Sequence, residues 1–299
     1  MKIFLTGANG FVGGSVAHHL IAQGHTVRGL LRDPRKAERL NALNIEPVIG
    51  SLDDRALLIA EARQADAVID AANSDHAGAV DAFIEALRGS NKLLIHTSGS
   101  SIIGDDAQGN GLSEHIFDED TPFIIEAPKQ ARYNIDLRMM AAAREGIRTV
   151  VICPSNIYGV GHGLTDHSFQ LPFLMARARE TGVMRIVGQG LNRWSNVHID
   201  DVAQLFLLAL EKAPAGAFYF AENGEASFAD MADGLARRMG LKDVQSWSAE
   251  EAEQHWDPVH VHYTFGTNSR VKAKRARTEL AWAPRYSSIL DWINDEMPL

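Results

Sequence analysis

The eight residues TGANGFVG, positions 6–13, set glycines 7, 10 and 13 between the apolar run KIFLT and the helix-period stretch GGSVAHHLIAQG. A strand that passes through three spaced glycines into a helix is a backbone built for close approach. Gly7 permits a tight turn, Gly10 lets the main chain come near a ligand, and Gly13 allows the helix to pack against the strand. The amides left free at the helix start attract phosphate. The helix is signalled by Val16, Ala17, Leu20 and Ile21 on one face and by Gly24 as a stop.

The same alternation continues along the first half of the chain. TVRGLL, EPVIG, AVIDAA, KLLIHTS and TVVIC read as further strands, separated by helical segments such as DDRALLIAEARQ, DAFIEALR and ARYNIDLRMMAAAREG. Six βα repeats in this length predict a doubly wound parallel sheet of the Rossmann type, covered by helices on both faces. The second half is less regular, with helices expected near SFQLPFLMARARETG, NVHIDDVAQLFLLALEKA and SFADMADGLARRMG. The expected layout is therefore a nucleotide-binding domain over 1–157 and a smaller substrate lobe over 158–299, with segments near 195–221 returning to the first domain.

Composition narrows the function classes. The net charge of −9 argues against nucleic acid or an anionic membrane as the main partner, and the basic run KAKRAR at 272–277 reads as a solvated face. A single cysteine, Cys153, in an apolar run reads as a buried, inert thiol in a reducing cytoplasm. No apolar run is long enough to span a membrane. The His and Asp spacing gives no convincing metal set, and no hydrolase serine elbow appears.

The end of the second strand bears on which dinucleotide the glycine loop holds. An acid there would bond a ribose 2′-hydroxyl, whereas GLLRDPRK presents Arg32, which suits a 2′-phosphate and favours NADP over NAD. Asp33 is the competing reading, since a shift of one residue would bring the acid forward.

TGANGFVGGSVAHHLIAQGHTVRGLLRDP resembles the opening of an extended short-chain dehydrogenase/reductase, and the likeness runs nearly the whole chain. PSNIYG at 154–159, NVHIDDVA at 196–203 and TELAWAPRY at 278–286 resemble further signatures of the nucleoside-diphosphate-sugar epimerase and dehydratase branch. The resemblance implies a small-molecule substrate and often a homodimer. It also implies that the loop residues Gly7, Asn9, Gly10, Phe11, Val12 and Gly13 hold the pyrophosphate. Arg32 would meet the 2′-phosphate, Ser51 and Leu52 the adenine, and Ala71 and Ala72 the adenosine ribose side. Ser98, Arg132, Pro154, Asn156 and Ile157 would border the nicotinamide.

The family's chemistry uses a hydroxyl residue, a tyrosine, and a lysine four residues after it that lowers the phenol's pKa. Counting back from REGIRTVVICPSNIYG, the tyrosine site falls on Pro128 and the lysine site on Arg132. The alternative register makes Tyr133 the tyrosine and Leu137 its partner, which carries no charge. In the first register Tyr133 points away and serves as a packing or dimer-face residue. In HTSGSSIIGD the hydroxyl site falls on Gly99; Ser100 is the expected substitute, with Ser98 and Ser101 beside it. Arg132 remains a candidate ribose anchor but a poor proton relay. Lys129 is the alternative cation nearby, and His162 and His167 are candidate acids. His198 and Asp200 resemble a structural pair, with Asp200 or Asp201 capping the following helix. GHGLTDHSFQLPF and QGLNRWSN are expected to border the substrate, through residues such as Trp194 and Asn196. Two readings follow: an NADP(H)-dependent oxidoreductase or epimerase-like enzyme with a non-standard proton donor, and a dinucleotide-sensing or scaffold protein without turnover.

Overall fold

The computed structural model describes residues 1–298. Seven parallel strands form the central sheet: β1 (Lys2–Thr6), β2 (Thr26–Leu31), β3 (Ile45–Ile49), β4 (Ala67–Asp70), β5 (Leu93–Thr97), β6 (Arg148–Pro154) and, later in the chain, β10 (Ala217–Ala221). Their spatial order is β10-β6-β5-β4-β1-β2-β3. The strands are near-continuous apolar runs because both faces are covered; Phe4, Leu5, Val68, Leu94 and Val151 are fully buried.

The helices of this layer are α1 (Phe11–Ala22), α2 (Ala37–Asn41), α3 (Arg55–Gln64), α4 (Ala77–Leu87) and α5 (Gln130–Ala141). The side chains of Asp54 and His76 cap α3 and α4 by accepting the amides of Leu57 and Ala79. Chain order reverses on either side of β1, so a crevice opens at the carboxyl ends of β1 and β4.

The remaining strands are short: β7 (Asn156–Tyr158), β8 (Met184–Val187), β9 (Arg193–His198), β11 (Glu225–Ser227) and β12 (Val244–Trp247). β9 pairs with β7 in parallel and with β11 antiparallel, while β8 pairs with β12. With α6 (Gln170–Thr181) and α8 (Phe228–Arg238) they enclose a second apolar core around Tyr158, Leu174, Trp194, Met231 and Phe265. α7 (Ile199–Lys212), β10 and the segment carrying Val271, Ala276 and Trp282 pack into the first core instead.

Three local expectations are corrected. The helix expected from Asn196 begins at Ile199, because residues through His198 pair as β9. Its cap is His198, whose backbone is extended and whose Nδ1 atom accepts the Asp200 amide at 3.2 Å; neither Asp200 nor Asp201 caps it. Asp201 instead accepts the amides of Arg285 and Tyr286, tying the TELAWAPRY segment to α7. The basic run is not a freely solvated face: Lys274 and Arg275 both pair with Asp120 at 2.6 Å, and Arg277 bonds the Glu222 carbonyl at 2.8 Å. No helix among the described residues is long and apolar enough to cross a membrane.

Candidate active site

A cleft of about 740 Å³ lies over the crevice. The glycine loop supplies Gly7, Asn9, Gly10, Phe11 and Val12 to its wall; the ends of β2, β3 and β4 supply Arg32, Ser51 with Leu52, and Ala71 with Ala72. Gly7 takes φ +71°, and a Cβ there would meet the Ala71 carbonyl oxygen at 2.4 Å. Gly13 lies behind the loop, where a Cβ would stand 2.3 Å from the Gly7 carbonyl oxygen. Its role is packing, which lets α1 start directly under the cleft. No side chain caps α1 at Gly10, so the first-turn amides face an open wall with the positive end of the helix dipole behind them. Glycines without room for Cβ atoms and uncapped amides fit a dinucleotide pyrophosphate.

The adenosine end contains groups beyond those expected from sequence: Leu30, Asp33, Lys36, Asp53, Asn73 and His76 also line the cleft. Asp33 is turned to its own chain, accepting the Arg35 amide at 3.1 Å and the Arg35 guanidinium at 2.8 and 3.0 Å. This pairing holds the Asp33 carboxyl below its ordinary range. Arg32 is exposed on the cleft wall.

Beneath the cleft, Thr6 Oγ1 donates to Asp70 Oδ1 at 2.6 Å and accepts the amides of Ala71 and Ala72, which fixes the end of β4. Asp70 Oδ2 lies 2.9 Å from His96 Nδ1, and His96 Nε2 lies 4.0 Å from Asp136 Oδ1. Ser98, expected at the cofactor, instead donates to Asp136 Oδ2 at 2.7 Å. The chain Thr6, Asp70, His96, Asp136, Ser98 is buried throughout. Burial pushes the Asp136 carboxyl up to about 6, against the pull of Ser98 and His96.

At the far end, Arg132 on α5 makes two hydrogen bonds to Asp75, at 2.7 and 2.6 Å, and a third to Ser101 Oγ at 3.0 Å. A Cβ on Gly99 would lie 3.6 Å from its Nη1 atom. Ser100, the expected hydroxyl, is turned away from Arg132, and Ser101 makes that contact. Residues 100–103 form a short 3-10 turn that rotates Ser100 onto Ser269, 2.7 Å from its Oγ, and presents Ser101 to Arg132. Tyr133 faces Phe123, with ring centroids 5.7 Å apart, and packs on the first core. Burial raises its phenol, so it is a weaker acid than an ordinary tyrosine.

Lys129 precedes α5, one turn before Arg132, with its ammonium 5.0 Å from the centre of the Tyr263 ring. Burial, and then the Arg132 charge, lower its pKa to about 8. From sequence Lys129 is only an alternative cation beside Arg132; its depressed pKa arises from burial and tertiary neighbours that no local motif encodes.

Pro154 ends β6, buried, and Ile157 packs partly against the first core. Asn156 is turned to the second lobe, its Nδ2 3.8 Å from Met231 Sδ. Trp194 is a core residue whose indole N–H donates to the Thr267 carbonyl at 2.9 Å, not a cleft residue. Asn196 is buried beside it in β9, with neither amide atom bonded. His167 is exposed in a separate pocket with Arg179 and Trp292. Cys153 is buried, and burial raises its thiol well above the usual range, which makes it inert.

Residues 3–219 match the sequence profile of the NAD dependent epimerase/dehydratase family. The chain is 30% identical over 305 residues, 97% of each protein, to an uncharacterized protein of Schizosaccharomyces pombe. It is also 30% identical to an oxidase of an Acremonium species over 95% of this chain and 92% of that one. A 2-alkyl-3-oxoalkanoate reductase of Stenotrophomonas maltophilia is 30% identical over 75% of this chain and 71% of its own. In fold, the chain superposes on the UDP-glucose 4-epimerase of Thermotoga maritima with a TM-score of 0.77 at 18% identity, covering 98% and 96% of the two chains. The protein belongs to the NAD-dependent epimerase/dehydratase family. It is an NAD(P)-dependent enzyme of the oxidoreductase or epimerase-like kind.

Proposed function

We propose that the protein is an NADP(H)-dependent reductase of a ketone or aldehyde, in which Lys129 donates the proton and Arg132 anchors the nicotinamide ribose. The observation that carries this reading is the pair of cations on one face at the start of α5, with Lys129 held near pKa 8 beside an Arg132 fixed by Asp75 and Ser101. A general acid is most effective when its pKa lies near the working pH. Lys129 meets that condition, while the phenol of Tyr133 does not.

A dinucleotide held by the glycine loop and Arg132 would supply a hydride for the carbonyl carbon. Lys129 hands its ammonium proton to the carbonyl oxygen as negative charge develops there, and the neutral amine recovers a proton from water. One ketone, one reduced cofactor and one proton give one alcohol and one oxidised cofactor. Arg132, with its high pKa, holds position and charge but does not relay the proton.

Preference for the 2′-phosphate is supported by Arg32 and Lys36 on the adenosine wall and by Asp33 turned onto Arg35. The oxo-acid substrate named for the Stenotrophomonas relative supports a carbonyl compound as substrate class. The test is oxidation of NADPH and of NADH against a panel of oxo acids, aliphatic ketones and aldehydes. The reading expects turnover with NADPH on at least one carbonyl class; binding of NADPH with no turnover across the panel would favour the non-catalytic alternative.

A further inference from the structure

We propose that His19, His162 and Asp200 form a site for one divalent transition-metal ion, zinc by its ligand chemistry, that fastens the 159–165 loop to the glycine-loop helix and α7. The three residues come from α1, the 159–165 loop and the first turn of α7, and one ligand atom from each lies within 4.8 Å of the others. His19 Nε2 stands 3.1 Å and His162 Nε2 2.8 Å from the same oxygen, Asp200 Oδ1. Ligand atoms around a tetrahedral zinc are about 3.3 Å apart, given bonds of about 2.0–2.1 Å. Both imidazole–carboxylate distances therefore need only a few tenths of an ångström of opening, and the two imidazole nitrogens lie within 4.8 Å of each other.

Two imidazoles and one carboxylate are a donor set for zinc, cobalt or nickel rather than magnesium or calcium, which prefer all-oxygen shells. The three side chains are 28%, 35% and 28% exposed in the order His19, His162, Asp200, so the remaining positions open to water. His18 stacks on His162 at 4.4 Å and 13°, which fixes the plane of that ring. Sequence spacing hid the set, because His19 lies well over a hundred residues before His162 and Asp200, and the three meet only where α1 packs on α7.

The consequence reaches the cofactor cleft. The His162 amide donates to Ser15 Oγ at 3.1 Å, and Thr165 Oγ1 donates to the Asn9 carbonyl at 3.1 Å. Gly163 closes against Gly10 and Gly14, leaving no room for a Cβ. An ion on His19, His162 and Asp200 would lock this loop onto the start of α1, directly behind the pyrophosphate wall.

The test uses the full-length chain without an affinity tag, titrated with Co²⁺ and followed by visible d–d absorption, with Zn²⁺ added as competitor. The site predicts one equivalent of bound Co²⁺ that Zn²⁺ displaces, and a thermal midpoint that rises with Zn²⁺. His162→Gln and His19→Gln, which keep a hydrogen bond to Asp200, each weaken binding by more than about tenfold. The double variant abolishes the signal, while His167→Gln on the exposed loop leaves it unchanged. Absence of a one-equivalent signal in the wild type, or an equal signal in the folded double variant, overturns the proposal and leaves two imidazoles hydrogen-bonded to a carboxylate.

Discussion

Arg132 closes a two-point hydrogen bond on Asp75, with Nε and Nη2 at 2.7 and 2.6 Å from the two carboxylate oxygens. The loop after β4 is thereby tied to the start of α5. The guanidinium bonds lower the Asp75 carboxyl below its ordinary range. Asp75 is more than half exposed, so the pair is a positioning device rather than a large source of stability. Replacing Asp75 with Ala is expected to shift the melting temperature by only a few degrees and to lower kcat/KM on the order of tenfold, through a misplaced Arg132. Arg132→Lys, which keeps the charge but not the fork, should show a similar loss. Steady-state kinetics beside thermal melts check this; a large stability loss with unchanged kinetics would contradict it.

The glycines of the loop divide into two kinds. A Cβ on Gly13 meets the Gly7 carbonyl oxygen at 2.3 Å, whereas one on Gly10 meets its nearest neighbour only at 3.2 Å. Gly13→Ala should lower stability by about 1–3 kcal/mol as an overpacked site. Gly10→Ala should leave the melting temperature within a few degrees while weakening dinucleotide binding, because the added methyl stands on the cleft wall. Paired melts and fluorescence titrations with NADPH distinguish the two; equal effects on both readouts would refute the division.

Asp136 gives a pH signature. Its carboxyl titrates at about 6 in the fold against 3.8 unperturbed, so the native state holds this proton more tightly than the unfolded chain. The folded state is therefore penalised as pH rises between those values, by up to about 3 kcal/mol, and carries no penalty below them. Asp136→Asn retains an acceptor for Ser98 and removes the charge. It should be more stable than wild type by about 1–3 kcal/mol at pH 8 and no more stable near pH 4. Denaturant melts at the two pH values decide; a loss of stability at pH 8 would show that the ionised carboxylate is required.

Arg32 and Lys36 set the expected cofactor preference. Arg32→Ala should weaken NADPH about tenfold or more, as loss of a charge-assisted phosphate contact does, and leave NADH nearly unchanged. Titration of both cofactors at two salt concentrations checks the prediction, since the phosphate contact is screened by salt. Equal weakening of both cofactors would place Arg32 in a structural role.

The sheet was legible in the sequence because each βα unit announces itself locally: apolar runs, helical spacing and Gly24 or Asp54 at the ends. In the cleft, Gly7 and Arg32 could be read from the strand ends they follow, whereas Ser51 and Ala71 came only from the family resemblance; all four line its wall. Boundaries failed where period and type conflict, as in NVHIDD, whose apolar spacing suits a helix although residues to His198 pair as a strand. Ser98, Ser100 and Ser101 could not be told apart from the letters, because only the 3-10 turn decides which of the neighbouring serines meets Arg132. The Asp70, His96 and Asp136 chain was invisible because its members sit on two strands and a helix, and only the fold aligns them. The low pKa of Lys129 likewise depends on burial and on Arg132, neither of which the letters APKQAR declare.

The central claim is that Lys129 is the proton donor, and the pH dependence of kcat tests it most directly. The protonated amine is the active form, so kcat should fall as pH rises through about 8. Lys129→Met should lose that limb and lower kcat by about 10²- to 10⁴-fold while leaving NADPH affinity intact. A Lys129→Met enzyme with near wild-type kcat and an unchanged alkaline limb would contradict the account.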